Sequence, residues 1–305
     1  MALPIPSPFD EQSGVATRRQ LLDGGHAWAF IRSQIDAGRW RELNEKVVVG
    51  HNGPLTWRQR LWAVYLSAPD PAGICGLSSL QSWRVKGFET DDVHVLVGRG
   101  ARVLPVDGVK VVVHESRRFS AADVVMARRP PCTRVSRAAV DAAAWSPNVW
   151  TAMRVFVAPV QQRRETAVVM RAALLEAGHI RYRRQLLALA ADMCGGAEAL
   201  SEAAFLGFCR RHEFPMPRCQ RRMDRAGRWR FLDAEFELPN GRIVRVEVDG
   251  GVHVVLSVRA EDNLKDNDAT LAGKGVLRYA SPLIYGDDPR AVAQLRRALG
   301  LVSVR

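Results

Sequence analysis

The sequence predicts an α/β protein, and three observations predict it. Apolar residues recur at helical spacing in several segments, short β-branched runs stand between them, and glycines and prolines punctuate the joins. The chain has 305 residues, 47% of them hydrophobic, which is enough for more than one core. The punctuation suggests three regions: 14–50, 55–195 and 198–305.

Residues 1–12 are proline-rich and polar and predict a loose arm. Thr17 predicts the cap of a short helix with Leu21 and Leu22 inward, ended by Gly24-Gly25. A second helix is predicted over about 27–37. It carries Phe30, Ile31 and Ile35 on one stripe, with Arg32, Ser33, Gln34 and Asp36 outside it. Two short strands follow, around Trp40–Asn44 and Lys46–Gly50. Helix, turn, helix and two-stranded wing is the order of a winged helix, whose second helix enters the DNA major groove. That would make Arg32 and Gln34 nucleic-acid contacts.

The middle region predicts a helix over Trp57–Ser67, a helical piece around Leu77–Val85, and β-rich runs at Asp92–Val97 and Val109–His114. Ser136–Met193 is helical in pattern, with breaks at Pro147, Pro159 and Gly178. Gly195-Gly196 predicts a linker. The last region reads helix (199–212), strand (229–238), strand (242–249), helix (260–273), strand (275–280) and helix (289–299), an αββαβα order.

Composition excludes several classes. No apolar run approaches the roughly 20 residues of a spanning helix, and the N-terminus has neither the basic start nor the apolar core of a signal peptide. Cys75, Cys132, Cys194, Cys209 and Cys219 fall without C-x-x-C pairs, an unpatterned set expected of reduced thiols in the cytoplasm. Lys and Arg total 44 against 32 Asp and Glu, a net charge of +12. Only 18 of the basic residues, against 15 acidic ones, lie from residue 198 onward, so the excess is mainly N-terminal. Such a charge attracts polyanions. An arginine-rich composition would raise the charge of any protein equally, so charge supports a nucleic-acid partner without establishing one.

The sharpest local signal is the hairpin Arg230–Asp249. Leu232, Ala234, Phe236 and Leu238 alternate with Asp233, Glu235 and Glu237; Val244, Val246 and Val248 alternate with Arg245, Glu247 and Asp249. Each strand therefore has one apolar and one charged face. Pro239-Asn240-Gly241 suits a three-residue turn, which pairs Leu238 with Arg242, Glu235 with Arg245 and Asp233 with Glu247. Two opposed carboxylates repel, and a divalent cation between them would turn that cost into a site. An oxygen-only ligand set suits Mg²⁺ or Mn²⁺. Asp249 points to the same side, and Gly250-Gly251 and His253 follow it. A solvated acidic face on an edge hairpin is the competing reading.

Val246-Glu-Val-Asp-Gly-Gly-Val-His253 resembles the E-x-D-G-x-x-H signature of the very-short-patch-repair-like branch of the PD-(D/E)XK nuclease superfamily. Leu232-Asp233-Ala234, Ser201–Phe205 and Leu271–Tyr279 resemble its first metal-binding strand, its leading helix and its closing segment. The resemblance covers about 198–300 and implies a restriction-endonuclease-like fold. By it Asp233 and Glu247 would ligate the metal, Asp249 would assist, and His253 would be a general base. Glu202 would point at the sheet; the alternative is that it favours the helix N-terminus through the dipole. Asp249 replaces the superfamily's usual Lys, whose charge Lys265 or Lys274 would have to supply. The run containing Arg221, Arg222 and Arg228 would grip phosphates beside such a site, and is otherwise a solvated loop.

Gly14–Leu22, Ile35–Trp40 and Thr133–Asp141 resemble the abortive-infection AbiEi-type antitoxins over about 14–175. That resemblance implies DNA as partner, transcriptional regulation and a cognate toxin. Two readings stay open: a DNA-binding Mg²⁺-dependent endonuclease, and a non-enzymatic regulator with a degenerate nuclease fold. An RNA substrate is a weaker third.

Overall fold

The structure, a computed structural model, describes residues 8–116, 119–194, 197–223, 229–249, 263–268 and 276–301. For Pro8, 197–203, 219–223, 229–233 and Asp249 it describes the backbone alone. The chain is α/β and divides into two compact units, Met1–Ala142 and Ala143–Arg305. The division falls inside the middle region, and Gly195-Gly196 lies outside the described residues.

The first unit opens with α1 (Pro8–Glu11), β1 (Val15–Thr17), α2 (Arg18–Asp23), α3 (Trp28–Asp36), β2 (Arg41–Glu42) and β3 (Val47–Val49). Thr17 caps α2 in a capping box with Gln20. Val15-Ala16-Thr17 pairs antiparallel with β3, so the sheet has three strands in the order β1-β3-β2, one more than the sequence suggested. Both faces of this sheet are covered, which is why it reads as continuous apolar runs. Ala16 and Val48 pack with Leu21 and Ile31, whereas Val15, Val47 and Val49 join the core around α4 (Trp57–Ser67).

That core continues into a five-stranded sheet, ordered β6-β5-β4-β8-β7. Its strands are β4 (Ala72–Ile74), β5 (Val93–Gly98), β6 (Val111–Ser116), β7 (Val124–Val125) and β8 (Cys132–Thr133), with α5 (Gly76–Ser82) between β4 and β5. α4 packs on both sheets, so Leu61, Trp62, Ala63, Val64 and Leu66 are all buried.

α6 (Val135–Trp145) crosses into the second unit, followed by α7 (Val149–Gln161), α8 (Ala167–Glu176), α9 (Arg183–Met193) and α10 (Ala197–Arg211). Pro159, expected to break the helix, lies inside α7, which runs two residues further. Next come β9 (Arg218–Met223), β10 (Trp229–Glu237), β11 (Ile243–Asp249), α11 (263–268), β12 (Val276–Ala280), α12 (Ser281–Tyr285) and α13 (Pro289–Ala298). The sheet order is β12-β11-β10-β9, antiparallel except for the parallel pair β11–β12. The expected αββαβα order is thus corrected by a third leading strand, β9, and by α12. Phe205, Phe208 and Cys209, at helical spacing on α10, bury against Phe236, Val246 and Val248. No helix among the described residues is long and apolar enough to cross a membrane. Cys75, Cys132 and Cys194 are free thiols.

Candidate functional site

The hairpin is built by its turn. Gly241 takes φ +76°, the left-handed conformation that the third loop residue needs, and its N–H donates to the Leu238 carbonyl at 2.8 Å. Leu238 N–H then meets Arg242 O at 2.9 Å, and the ladder runs Glu237–Ile243, Phe236–Val244, Glu235–Arg245 and Ala234–Val246. Glu235 stands opposite Arg245, as the turn predicted, and Arg245 Nε donates to its Oε1 at 2.8 Å. Asp233 is the next residue on β10 and Glu247 the next on β11. On the other side of β10, Asp233 pairs with Gln220 just past an irregularity between Phe231 and Asp233.

Ala234, Phe236, Val244, Val246 and Val248 are buried under α10, so Glu235, Arg245 and Glu247 share the opposite face. Glu247 is half-buried there, and its Oε2 accepts from Arg278 Nε at 2.8 Å. Arg278 stands beside it in the parallel β11–β12 pair. Its position is held by Asn267 of α11, which is buried. Asn267 Nδ2 donates to Arg278 O at 2.8 Å, and its Oδ1 accepts from Arg278 N at 2.7 Å. Among the described residues β12 is an edge of the sheet, and these two bonds satisfy backbone groups that no described strand pairs. Gln294 of α13 supports the clamp from Leu264 O and Asp268 Oδ1. Sequence reasoning missed both Asn267 and Arg278. The only signal was a polar Asn amid the expected helix 260–273.

The other expected site residues fall as follows. Arg228 and His253 lie outside the described residues, as does Lys274. For Glu202, Arg221, Arg222, Asp233 and Asp249 the backbone places them on α10, β9, β10 and β11. Glu202 sits in the second turn of α10, because the helix starts at Ala197, and this removes the first-turn dipole reading. Arg221 and Arg222 belong to strand β9 and not to a loop. Lys265 is exposed on α11, and the cation that meets Glu247 is Arg278. Among the described residues no three His, Cys, Asp or Glu side chains converge on a metal position.

In the first unit, Arg32 is exposed on α3, its side chain 64% accessible and paired to Asp36 at 3.5 Å. Gln34 is half-buried, and its Oε1 accepts from Arg39 Nε at 2.6 Å. Leu22 and Phe30, expected inward, are exposed: Phe30 stacks on His26 with centroids 5.6 Å apart and meets Trp40 edge-on. Trp28 is also exposed, with the Arg18 guanidinium 5.4 Å from its ring centroid. Arg19 and Arg39 are exposed nearby in sequence.

No protein-family model matches the chain, and no curated protein matches it.

Proposed function

We propose that this chain binds duplex DNA through α2, α3 and the β1–β3 sheet. We propose further that its second unit is a Mg²⁺-dependent phosphodiesterase centred on Asp233, Glu247 and Asp249. The observation that carries the catalytic reading is the hairpin register: with Ala234 opposite Val246, the next residues outward are Asp233 and Glu247. A carboxylate pair across a ladder costs stability unless a cation joins it. The donor set fits such an ion. Glu247 offers a half-buried carboxylate whose Oε1 has no hydrogen bond among the described residues, and carboxylate oxygens alone suit a hard cation. When bound, the ion would supply Lewis acidity at a phosphate oxygen and an acidified water. This chain's own contribution would be to carry the carboxylates on neighbouring strands and to place Arg278, a phosphate-compatible cation, beside Glu247.

The DNA-binding reading rests on the α2–turn–α3 pair backed by a three-stranded sheet, with Arg32 exposed on the second helix. The resemblance to the AbiEi-type antitoxins points the same way, and adds a cognate toxin as a partner. One observation favours the non-enzymatic regulator: Arg278 already occupies one oxygen of Glu247, as a structural ion pair would.

The deciding experiment incubates the full chain with plasmid and oligonucleotide DNA, and with RNA, in Mg²⁺, Mn²⁺ or EDTA. Cleavage of DNA that needs the metal and is lost in Asp233→Asn supports the phosphodiesterase. Salt-sensitive binding without cleavage in any metal leaves the regulator. For binding itself, Arg32→Ala should weaken DNA affinity and lower the slope of log affinity against log salt by about one. An unchanged slope and affinity would remove α3 from the interface.

A further inference from the structure

The second unit holds a cavity that the hairpin site does not use. α9 and α10 pack together through small residues, and Ala188, Ala204 and Gly207 leave a space of about 260 Å³ that Tyr285 of α12 also lines. Glycine weakens a helix interior, yet Gly207 has a local reason. A Cβ there would lie 3.2 Å from Nη1 of Arg211, so the bare backbone gives the guanidinium its room. Tyr285 is fixed in turn, because its Oη donates to the buried Asp192 Oδ2 at 2.7 Å, beside Ser281 Oγ at 3.0 Å.

The remaining lining groups are polar and underused. Arg211 Nε lies 3.1 Å from both oxygens of Asp287, and its Nη2 lies 2.6 Å from Oδ1. Its Nη1 meets no acceptor among the described residues. Arg184 is 64% exposed and only approaches Asp287, at 3.8 Å. The Gln185 amide makes no hydrogen bond among the described residues. Two guanidiniums against one carboxylate leave an excess of one positive charge among these three side chains.

We infer that this cavity binds a small organic monoanion, a carboxylate on a compact apolar body. The alanine, glycine and tyrosine walls take the body. The Arg184 and Arg211 forks take the carboxylate in the paired geometry that guanidinium favours. The volume lies below the roughly 300–1,000 Å³ of drug-sized sites, which limits the ligand to about one ring or a short branched chain. The Asp287 carboxylate leaves one positive charge to match, so a monoanion fits better than a phosphate dianion. The site lies between α9, α10 and α12 and does not depend on the nuclease reading.

The test titrates benzoate into the full chain by calorimetry, with benzyl alcohol and inorganic phosphate in parallel. Benzoate should saturate one site per chain, benzyl alcohol should bind at least about tenfold more weakly for lack of charge, and phosphate should not displace benzoate. Arg184→Gln should weaken benzoate about tenfold while leaving the unliganded melting temperature unchanged, since the side chain is exposed and loosely paired. Ala188→Leu, which fills the cavity, should abolish binding. Equal affinity for benzoate and benzyl alcohol, displacement by phosphate, full affinity in Arg184→Gln, or no saturation at tens of millimolar would each overturn the proposal.

Discussion

Asn267 gives both ends of its amide to the backbone of Arg278 from a buried position. Asn267→Ala strands the N–H and C=O of an edge strand, and each unpaired buried group costs about 1–3 kcal/mol. The variant should therefore lose about 2–6 kcal/mol in urea unfolding; a loss under about 1 kcal/mol would show that the clamp is dispensable. Asp192 makes a second residue-scale case. Burial pushes its carboxyl up to about 6, against the opposing pull of hydrogen bonds from Tyr285 and Ser281. In the unfolded chain an aspartate titrates near pH 4. Between about pH 4 and pH 6 the folded protein thus keeps a proton that the unfolded chain has lost. The resulting stabilisation is full below pH 4 and disappears as pH rises through 6. Asp192→Asn has no charge to bury, so its melting temperature relative to the parent should be higher at pH 8 than at pH 4.5. A difference that ignores pH would show that Asp192 does not titrate in this range. Neither residue was legible in the sequence. Asn267 stood in an expected helix, and Asp192 in a helical stretch, with nothing local to mark the residue each would meet across the fold.

The β10–β11 hairpin is the element that sequence described best, because two-residue alternation and a Pro-Asn-Gly turn are both local signals. Gly241 carries that turn. Gly241→Ala must place a Cβ at φ +76°, at a cost of about 1 kcal/mol. Glu235 and Arg245 should show a coupling of about 0.3–1 kcal/mol in a double-mutant cycle, fitting a partly exposed cross-strand pair. A coupling near zero, or a Gly241→Ala variant as stable as its parent, would contradict this register. β9 was missed for the opposite reason. Arg218-Cys-Gln-Arg-Arg-Met223 has no apolar alternation, and what makes it a strand is its ladder with β10. The β1 strand was hidden in a cap region, since three residues carry too little pattern. On α3 the helical period was right but its apolar stripe was not: Ile31 is buried, while Phe30 turns outward onto His26 and Trp40.

At the scale of the whole chain, contacts make two compact units, Met1–Ala142 and Ala143–Arg305. The division falls after Ala142, within the stretch predicted to be helical over Ser136–Met193. Pattern along a chain records the period of each helix and not the core that it joins. The divalent cation proposed at Asp233 and Glu247 of the second unit can be tested by melting before any substrate is known. A cation at ten times its dissociation constant stabilises the folded state by about 1.4 kcal/mol. For a unit of this size that is about 3–6 °C. The full chain should melt higher by roughly that amount in millimolar Mg²⁺ or Mn²⁺ than in EDTA, and Glu247→Gln should not. A parent whose melting temperature ignores both metals at millimolar concentration would contradict the claim and leave a DNA-binding regulator.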